Sequence, residues 1–463
     1  MSSPTKDSGD RDTLYVLVTG ANSGVGYAIC TRIITNFLLT RPANQHLHLI
    51  PTTRSQSKAI ETVESLQQHI EALAAGNIKE QLFFYTPPST PPASPTADAR
   101  ALFSQRVTID PILLDLCSIP TVFSAARALA ASVPRLDVLI CNAGIGGWSG
   151  LDWWGAWRQF YTEGVVALVG KPAYKKSTMG LATKQQLLGG QKGDEPPLGE
   201  VFCANLFGHY IFVHEVASLL NRGPLAGVQR SRVVWCSTNQ VEARFLESDD
   251  FQGLKTLDAY ESSKVVTDLV AIGSQKEELK SRVQDFFTPT STNDSQDDIE
   301  KSMVFVSSKD ATSSPSSAHS GRNEETIPPV MYLSHPGICL TSILPLPIIV
   351  TYLQLIAFYL ARFFGSKWHV NTAHKGATAP VWLAMESDEL LEKVNAKKIK
   401  WGSGCNRWGK ERVIPTHMDY WGLEGEEDKE TGEFTELAKT IWDKVEHLRV
   451  DWTDRVGAWE RKR

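Results

Sequence analysis

The chain has 463 residues, 42% hydrophobic and 21% charged, which is enough apolar material for a sizeable core and unlike a disordered polymer. A net charge of −5 without a long basic run argues against nucleic acid as the main partner. Seven scattered cysteines (Cys30, Cys117, Cys141, Cys203, Cys236, Cys339, Cys405) contain no CxxC pair, which fits a reducing compartment and speaks against disulfides or a zinc site.

Residues 1–13 are polar and charged, unlike a cleavable signal peptide. Strand-like runs follow at 14–19, 47–52, 112–116, 138–141, 233–236 and 330–334. Helical stretches lie between them, among them 26–38, 57–74 and 201–220. This alternation predicts an α/β fold, a Rossmann-like doubly wound parallel sheet in a single domain. Residues 1–12 read as a tail and 13–285 as the core, with insertions at 85–104 and 148–198. The Pro-, Ser- and Thr-rich insertions 85–104 and 286–328 are expected to be disordered, having little apolar surface to offset ordering entropy. The segment 148–198 is Trp-rich and partly helical. Residues 329–463 are expected to hold the last strand, an apolar segment and a helical C-terminal region.

Thr19-Gly20-Ala21-Asn22-Ser23-Gly24-Val25-Gly26 follows the first strand and opens a helix. Glycines there permit a tight turn and a close backbone approach to a pyrophosphate at the helix N-terminus. The second strand ends in Thr53-Arg54, with no nearby acid for a ribose 2′-hydroxyl. Arg54 could instead pair with a 2′-phosphate, which favours NADP(H). Tyr260 and Lys264, four apart, share one helical face downstream of a strand ending in Ser237-Thr238. A phenol near pKa 10 exchanges protons poorly at neutral pH. A nearby ammonium is expected to lower it, making Tyr260 the general acid–base group and Lys264 its activator. No metal site is expected, because His46 and His48 lack partner ligands.

The TGxxxGxG spacing resembles the short-chain dehydrogenase/reductase superfamily. That resemblance implies an adenine contact for Asp115, support of the sheet beside the cofactor for Asn142-Ala143-Gly144, and a water-holding catalytic role for Asn205. It also implies a substrate-binding hydroxyl from Ser237 or Thr238, a ribose contact from Lys264, and a nicotinamide contact from Pro336-Gly337 and Thr341. The segments 246–255 and 200–210, the run HPGICLTSILPLP and AHKGATAPVWLAM resemble the 3-ketosteroid reductases of sterol biosynthesis, in a filamentous-fungal version. This implies NADPH-dependent reduction of a sterol 3-keto group to the 3β-alcohol during C-4 demethylation in ergosterol biosynthesis. It further implies the cytosolic face of the endoplasmic reticulum membrane or a lipid droplet, beside other C-4 demethylation enzymes.

The apolar stretch 343–364 is long enough to span a bilayer, but Pro345 and Pro347 interrupt its start. A monotopic hairpin or amphipathic plug at the substrate entrance is the expectation, with a buried helix in a soluble enzyme as the alternative. Two rival functions stand beside the sterol reading: a reductase of another lipophilic carbonyl (a retinoid or acyl ketone), and a non-catalytic membrane scaffold.

Overall fold

The structure is a computed structural model and describes residues 12–78, 82–86, 88–90, 92, 94–187, 195–221, 230–239, 241–288, 328–341 and 348–462. Its first strands are β1 (Thr13–Val18), β2 (His46–Thr53), β3 (Val107–Ile109), β4 (Ile112–Leu113), β5 (Val138–Cys141), β6 (Trp148–Leu151) and β7 (Lys175–Ser177). The rest are β8 (Arg232–Cys236), β9 (Val330–His335), β10 (Ile338–Cys339), β11 (His369–Asn371), β12 (Lys400–Cys405) and β13 (Glu411–Thr416).

The main sheet runs β13-β12-β9-β8-β5-β1-β2-β3, with β4 also on β2. Every pairing is parallel except β12 with β13. Parallel strands must be covered on both faces, and alternate residues supply one core each. Leu17, Leu139, Val233 and Leu333 point into one core. Val16, Val18, Ile140 and Val234 point into the other. β1 sits between β2 and β5, so the chain leaves its two neighbours in opposite directions. The resulting crevice opens at the carboxyl ends of β1 and β5, where such sheets bind ligands.

The doubly wound sheet agrees with expectation, and three local readings need correction or refinement. The third strand was expected at 112–116. Instead two short pieces pair with β2, because Pro111 has no N–H with which to continue the ladder. The helix expected at 201–220 is present from Glu200, with a π-helical turn at Cys203–Phe207 that the sequence does not show and an interruption at Val216 before Ala217–Leu220. The C-terminal region, expected to be helical, supplies the edge strands β12 and β13.

Its long last helix, Glu433–Glu460, buries Phe434, Ala438, Ile441, Trp442, Val445 and Trp452 in a stripe at helical spacing. The stripe packs on the helix Ala259–Gly273. A Cβ on Gly273 would lie 3.1 Å from the Ala438 methyl and 3.4 Å from the Trp442 indole nitrogen, so the two helices meet closely there.

The insertions behave differently from one another. Within 85–104, the Tyr85 ring lies 5.1 Å from Trp382 and 5.7 Å from Trp401, Phe103 is buried, and Ala97–Ala101 is helical. Two aromatic anchors thus tie down a segment whose average composition suggested disorder. Of the insertion 286–328, residues 289–327 lie outside the described residues, whereas Phe286 and Phe287 are core residues of the helix Lys280–Phe287. Of the apolar segment, 342–347 lie outside the described residues and the rest forms the helix Ile348–Phe363.

Candidate active site

The turn after β1 is built around the Thr19 hydroxyl. It accepts from the backbone N–H groups of Asn142 (2.9 Å) and Ala143 (3.0 Å), tying the glycine turn to the end of β5. The Asn142 amide donates to the Thr19 carbonyl at 3.0 Å. Gly20 and Gly24 have φ of +66° and +55°, which disfavour a side chain. A Cβ on Gly26 would sit 2.2 Å from the Gly20 carbonyl oxygen, so only glycine lets the helix start this close to the turn. Ser23, the N-cap of helix Gly24–Thr40, makes no side-chain cap bond, and the first turn holds no acid. Asn22 and Ser23 are exposed at the tip, while Val25 packs against the core.

Arg54 is exposed just past β2 and, among the described residues, has no hydrogen-bond or ion-pair partner. Asp115 is half-buried beyond β4 and accepts from the Cys117 N–H at 3.0 Å. Pro336 and Gly337 follow β9. Gly337 has φ +66°, and a Cβ there would lie 2.4 Å from the Ser403 carbonyl. Thr341 faces the glycine turn, its methyl 3.7 Å from where a Gly24 Cβ would stand.

Tyr260 and Lys264 lie on the helix Ala259–Gly273. Lys264 is buried and donates to the Cys236 carbonyl at the end of β8 (2.8 Å). Burial pulls its ammonium down to about 8, against opposing pulls from Cys236 and Asp268. Burial pushes the Tyr260 phenol above its ordinary value, Glu261 adds to this, and a hydrogen bond with Thr238 opposes it. The expected lowering of Tyr260 by Lys264 is therefore not what the site displays. The ammonium sits 5.9 Å from the phenol ring centroid and is engaged by a carbonyl, so desolvation wins.

The Ser237-Thr238 pair is divided between two faces. Thr238 meets Tyr260, whereas Ser237 is buried and accepts from Lys400 (3.3 Å). Asn205 lies in the π-turn, and its side chain is fully committed. Its Oδ1 accepts from the Ile145 N–H (2.8 Å), and its Nδ2 donates to the Ile145 carbonyl (3.1 Å) and the Ser263 hydroxyl (2.9 Å). Ser263 in turn donates to the Tyr260 carbonyl at 2.7 Å. Through these bonds the Asn205 side chain clamps the loop after β5 to the Tyr260 helix. Gly144 is needed beside it, since a Cβ there would lie 2.5 Å from Oδ1.

Two residues that the sequence left without a role, His209 and Lys175, also belong here, together with Trp148, one of a Trp cluster (Trp148, Trp153, Trp154, Trp157) that the sequence suggests as pocket lining or an interface anchor. His209 is fully buried and meets the Thr19 hydroxyl at 2.8 Å, and burial pulls it down to about 3, so it is neutral. Trp148, on β6, lies 5.0 Å from the Tyr260 ring. Lys175 sits 4.3 Å over the Trp148 ring and pairs with Glu261 at 2.9 Å. The contacts of His209 with Thr19, Trp148 with Tyr260 and Lys175 with Glu261 join segments over 80 residues apart, which no local spacing reveals. A cavity of about 400 Å³ lined by Arg41, Phe83 and Trp382 lies elsewhere and includes none of these residues.

No family model matches the chain. It is 34% identical to the 3-keto-steroid reductase of Aspergillus fumigatus, over 97% of this chain and 98% of that one. It is 32% identical to the corresponding reductase of Gibberella zeae, over 96% of each. The Saccharomyces cerevisiae 3-keto-steroid reductase is 24% identical over 88% of this chain and 90% of its own. With about a third of its residues shared along practically the whole length of two such enzymes, the chain belongs to the 3-keto-steroid reductase family.

Proposed function

We propose that the protein is an NADPH-dependent oxidoreductase that reduces the 3-keto group of a sterol intermediate to the 3β-alcohol, in the C-4 demethylation stage of ergosterol biosynthesis. The observation that carries this is the meeting of Tyr260, Thr238, Lys264 and Asn205 beside the glycine turn, in a chain of this family. The site fits the cofactor. The glycine turn leaves backbone open where Gly24 faces Thr341, the Ser23 cap is unused, and Arg54, exposed just past β2 and without a partner among the described residues, would meet a 2′-phosphate. Residues 19–26, Asn142, Ala143 and Thr341 would hold it, and Lys264 would hold its ribose. When bound, NADPH supplies a hydride.

The chain's own residues supply the proton. A phenol raised by burial keeps its proton at neutral pH, so Tyr260 is poised as an acid, which suits reduction. Thr238 would bind the substrate oxygen, a reading supported by the hydrogen bond it shares with Tyr260. Asn205 and Ser263 hold the Tyr260 backbone, and Trp148 packs on the ring at 5.0 Å.

Membrane docking and residence at the endoplasmic reticulum or a lipid droplet, beside other C-4 demethylation enzymes, extend the proposal. They are supported by an exposed apolar face. Ile349 (72% exposed), Leu353, Ile356 and Leu360 line one side of the helix Ile348–Phe363. Trp154 (73%), Trp157 and Tyr161 line the neighbouring helix Trp153–Gly170. The two helices pack through Val169, Phe358 and Ala361 and leave these outer faces open. Among the described residues no helix is long and apolar enough to cross a membrane, so docking lies in the interface plane.

The test is reduction of a 3-ketosterol by detergent-solubilised protein with NADPH or NADH, following the 3β-alcohol by mass spectrometry. Turnover should require NADPH, and Tyr260→Phe should lose at least about 100-fold while still binding NADPH. Reduction of retinal or an acyl ketone, with none of the sterol, would overturn the substrate assignment.

A further inference from the structure

A second buried lysine lies beneath the catalytic one. Lys400, the first residue of β12, is 2% exposed and reaches the equally buried Asp268 carboxylate at 2.5 Å. It also donates to the Ser237 hydroxyl at 3.3 Å. Asp268 lies four residues beyond Lys264, which lies four beyond Tyr260, so the three share one helical face. Ser237 directly follows Cys236, whose carbonyl binds the Lys264 ammonium. One carboxylate thus stands among two buried ammonium groups at the end of β8, and its Oδ1 has no hydrogen-bond partner among the described residues.

Such a cluster carries a surplus positive charge when every member is ionised, and in a dry site that surplus is expensive. The charge of Lys264 therefore depends on Asp268. We infer that Asp268, held in place by Lys400 and Ser237, is a positioning residue that keeps Lys264 charged, and so sets the upper pH limit of the reductase. The inference rests on the role of Lys264 proposed above.

The groups facing Lys264 can be named element by element. Asp268 and Tyr260 share its helix, Cys236 and Cys141 come from β8 and β5, Lys400 from β12, and His209 from the helix Gly208–Glu215. His209 is neutral, and burial raises both cysteines, so they are neutral thiols. Burial raises the Asp268 carboxyl as well, but its ion pair with Lys400 and its hydrogen bond with Ser237 oppose that, so Asp268 is the paired anion that favours the Lys264 ammonium, while Lys400 opposes it more weakly. Tyr260 is raised above its ordinary value, so the alkaline limb near pH 8 belongs to Lys264.

Asp268→Asn keeps the shape and removes the charge, and the Lys400 left behind loses its proton. The alkaline limb of kcat/KM for NADPH, which reports the free enzyme, should then move down by about one pH unit. That shift is a loss of about eightfold near pH 8.5, against less than about threefold near pH 6. Asp268→Glu should restore the limb. Because the single variant leaves a buried lysine without a partner, the double variant Asp268→Asn/Lys400→Met is measured beside it and should show the same lowered limb. A loss of equal size at every pH, with the limb unmoved in both variants, would mean that the pair is only structural and overturn the inference. A wild-type enzyme that fails to reduce the sterol ketone would sink the function proposal instead. NADPH binding followed by fluorescence across the same pH range distinguishes the two failures, since the limb is also read there without turnover.

Discussion

Adding one methyl at Gly144 tests whether the loop after β5 is registered on Asn205. The new Cβ would lie 2.5 Å from Oδ1 of Asn205, and the next nearest group is the Lys264 ammonium at 4.0 Å. Relieving the contact requires the amide to retreat by roughly 0.7 Å, which stretches its bonds to Ile145 and Ser263 out of hydrogen-bond range. With three bonds at about 1 kcal/mol each, Gly144→Ala should cost roughly 2–3 kcal/mol of stability. It should also slow reduction by about 10- to 100-fold, because the Tyr260 backbone hangs on the same amide through Ser263. The control is the same change in an Asn205→Ala background, where the obstructing oxygen is gone. There the methyl should cost less than about 0.5 kcal/mol, giving a coupling near 2 kcal/mol. Urea denaturation of the four proteins measures it. Equal costs in both backgrounds would refute the clamp, since the damage would then not pass through Asn205.

Arg54→Glu should turn the cofactor preference from NADPH toward NADH by about 100-fold in kcat/KM, because it swaps a phosphate partner for a hydroxyl partner. An unchanged ratio would place 2′-phosphate recognition elsewhere. Burial lowers His209 to about 3, His214 and His369 to about 4, and His335 well below its ordinary value. Below about pH 6.5 the unfolded chain therefore binds protons that the folded one does not, so stability should fall from there toward pH 4 and stay level above it. His209 alone accounts for roughly 3 kcal/mol of that fall, and a flat denaturation profile between pH 4 and about pH 6.5 would contradict it. Trp154→Glu and Ile349→Glu each place a charge on the exposed apolar face, so each should reduce flotation with liposomes several-fold while leaving the thermal midpoint within a few degrees. Unchanged flotation in the double variant would remove that face as the docking surface.

Much of the fold was legible because it is written locally. Short continuous apolar runs gave β1, β2, β5, β8 and β9 within a residue or two, and the glycine turn marked the start of the first long helix. What escaped was set by distant contacts. β12 reads KWGSGC, with two glycines and a lysine, and is poor strand material by propensity. It is a strand because the edge of β9 receives it and Asp268 pairs with its lysine. The π-turn at Asn205 is likewise invisible in a run that reads as a uniform apolar helix, and only its bonds to Ile145 and Ser263 account for it.

The same division runs through the active site. Residues whose chemistry depends on type and spacing, Tyr260 with Lys264 and the glycines of the turn, could be named in advance. Their electrostatics could not, since these depend on what is absent around them: water. A Tyr–Lys pair four apart suggests a lowered phenol in solution, yet in the folded chain desolvation raises the phenol and lowers the lysine. Both shifts disfavour charge at neutral pH, and together they fit an acid that gives up its proton only to a stronger base, the alkoxide formed during carbonyl reduction. The choice between Ser237 and Thr238 follows the same logic. Adjacent residues on an extended strand point to opposite faces, so one hydroxyl must serve the Lys400–Asp268 pair and the other Tyr260. Both lie just past the end of β8, and only the neighbours on each side set them apart.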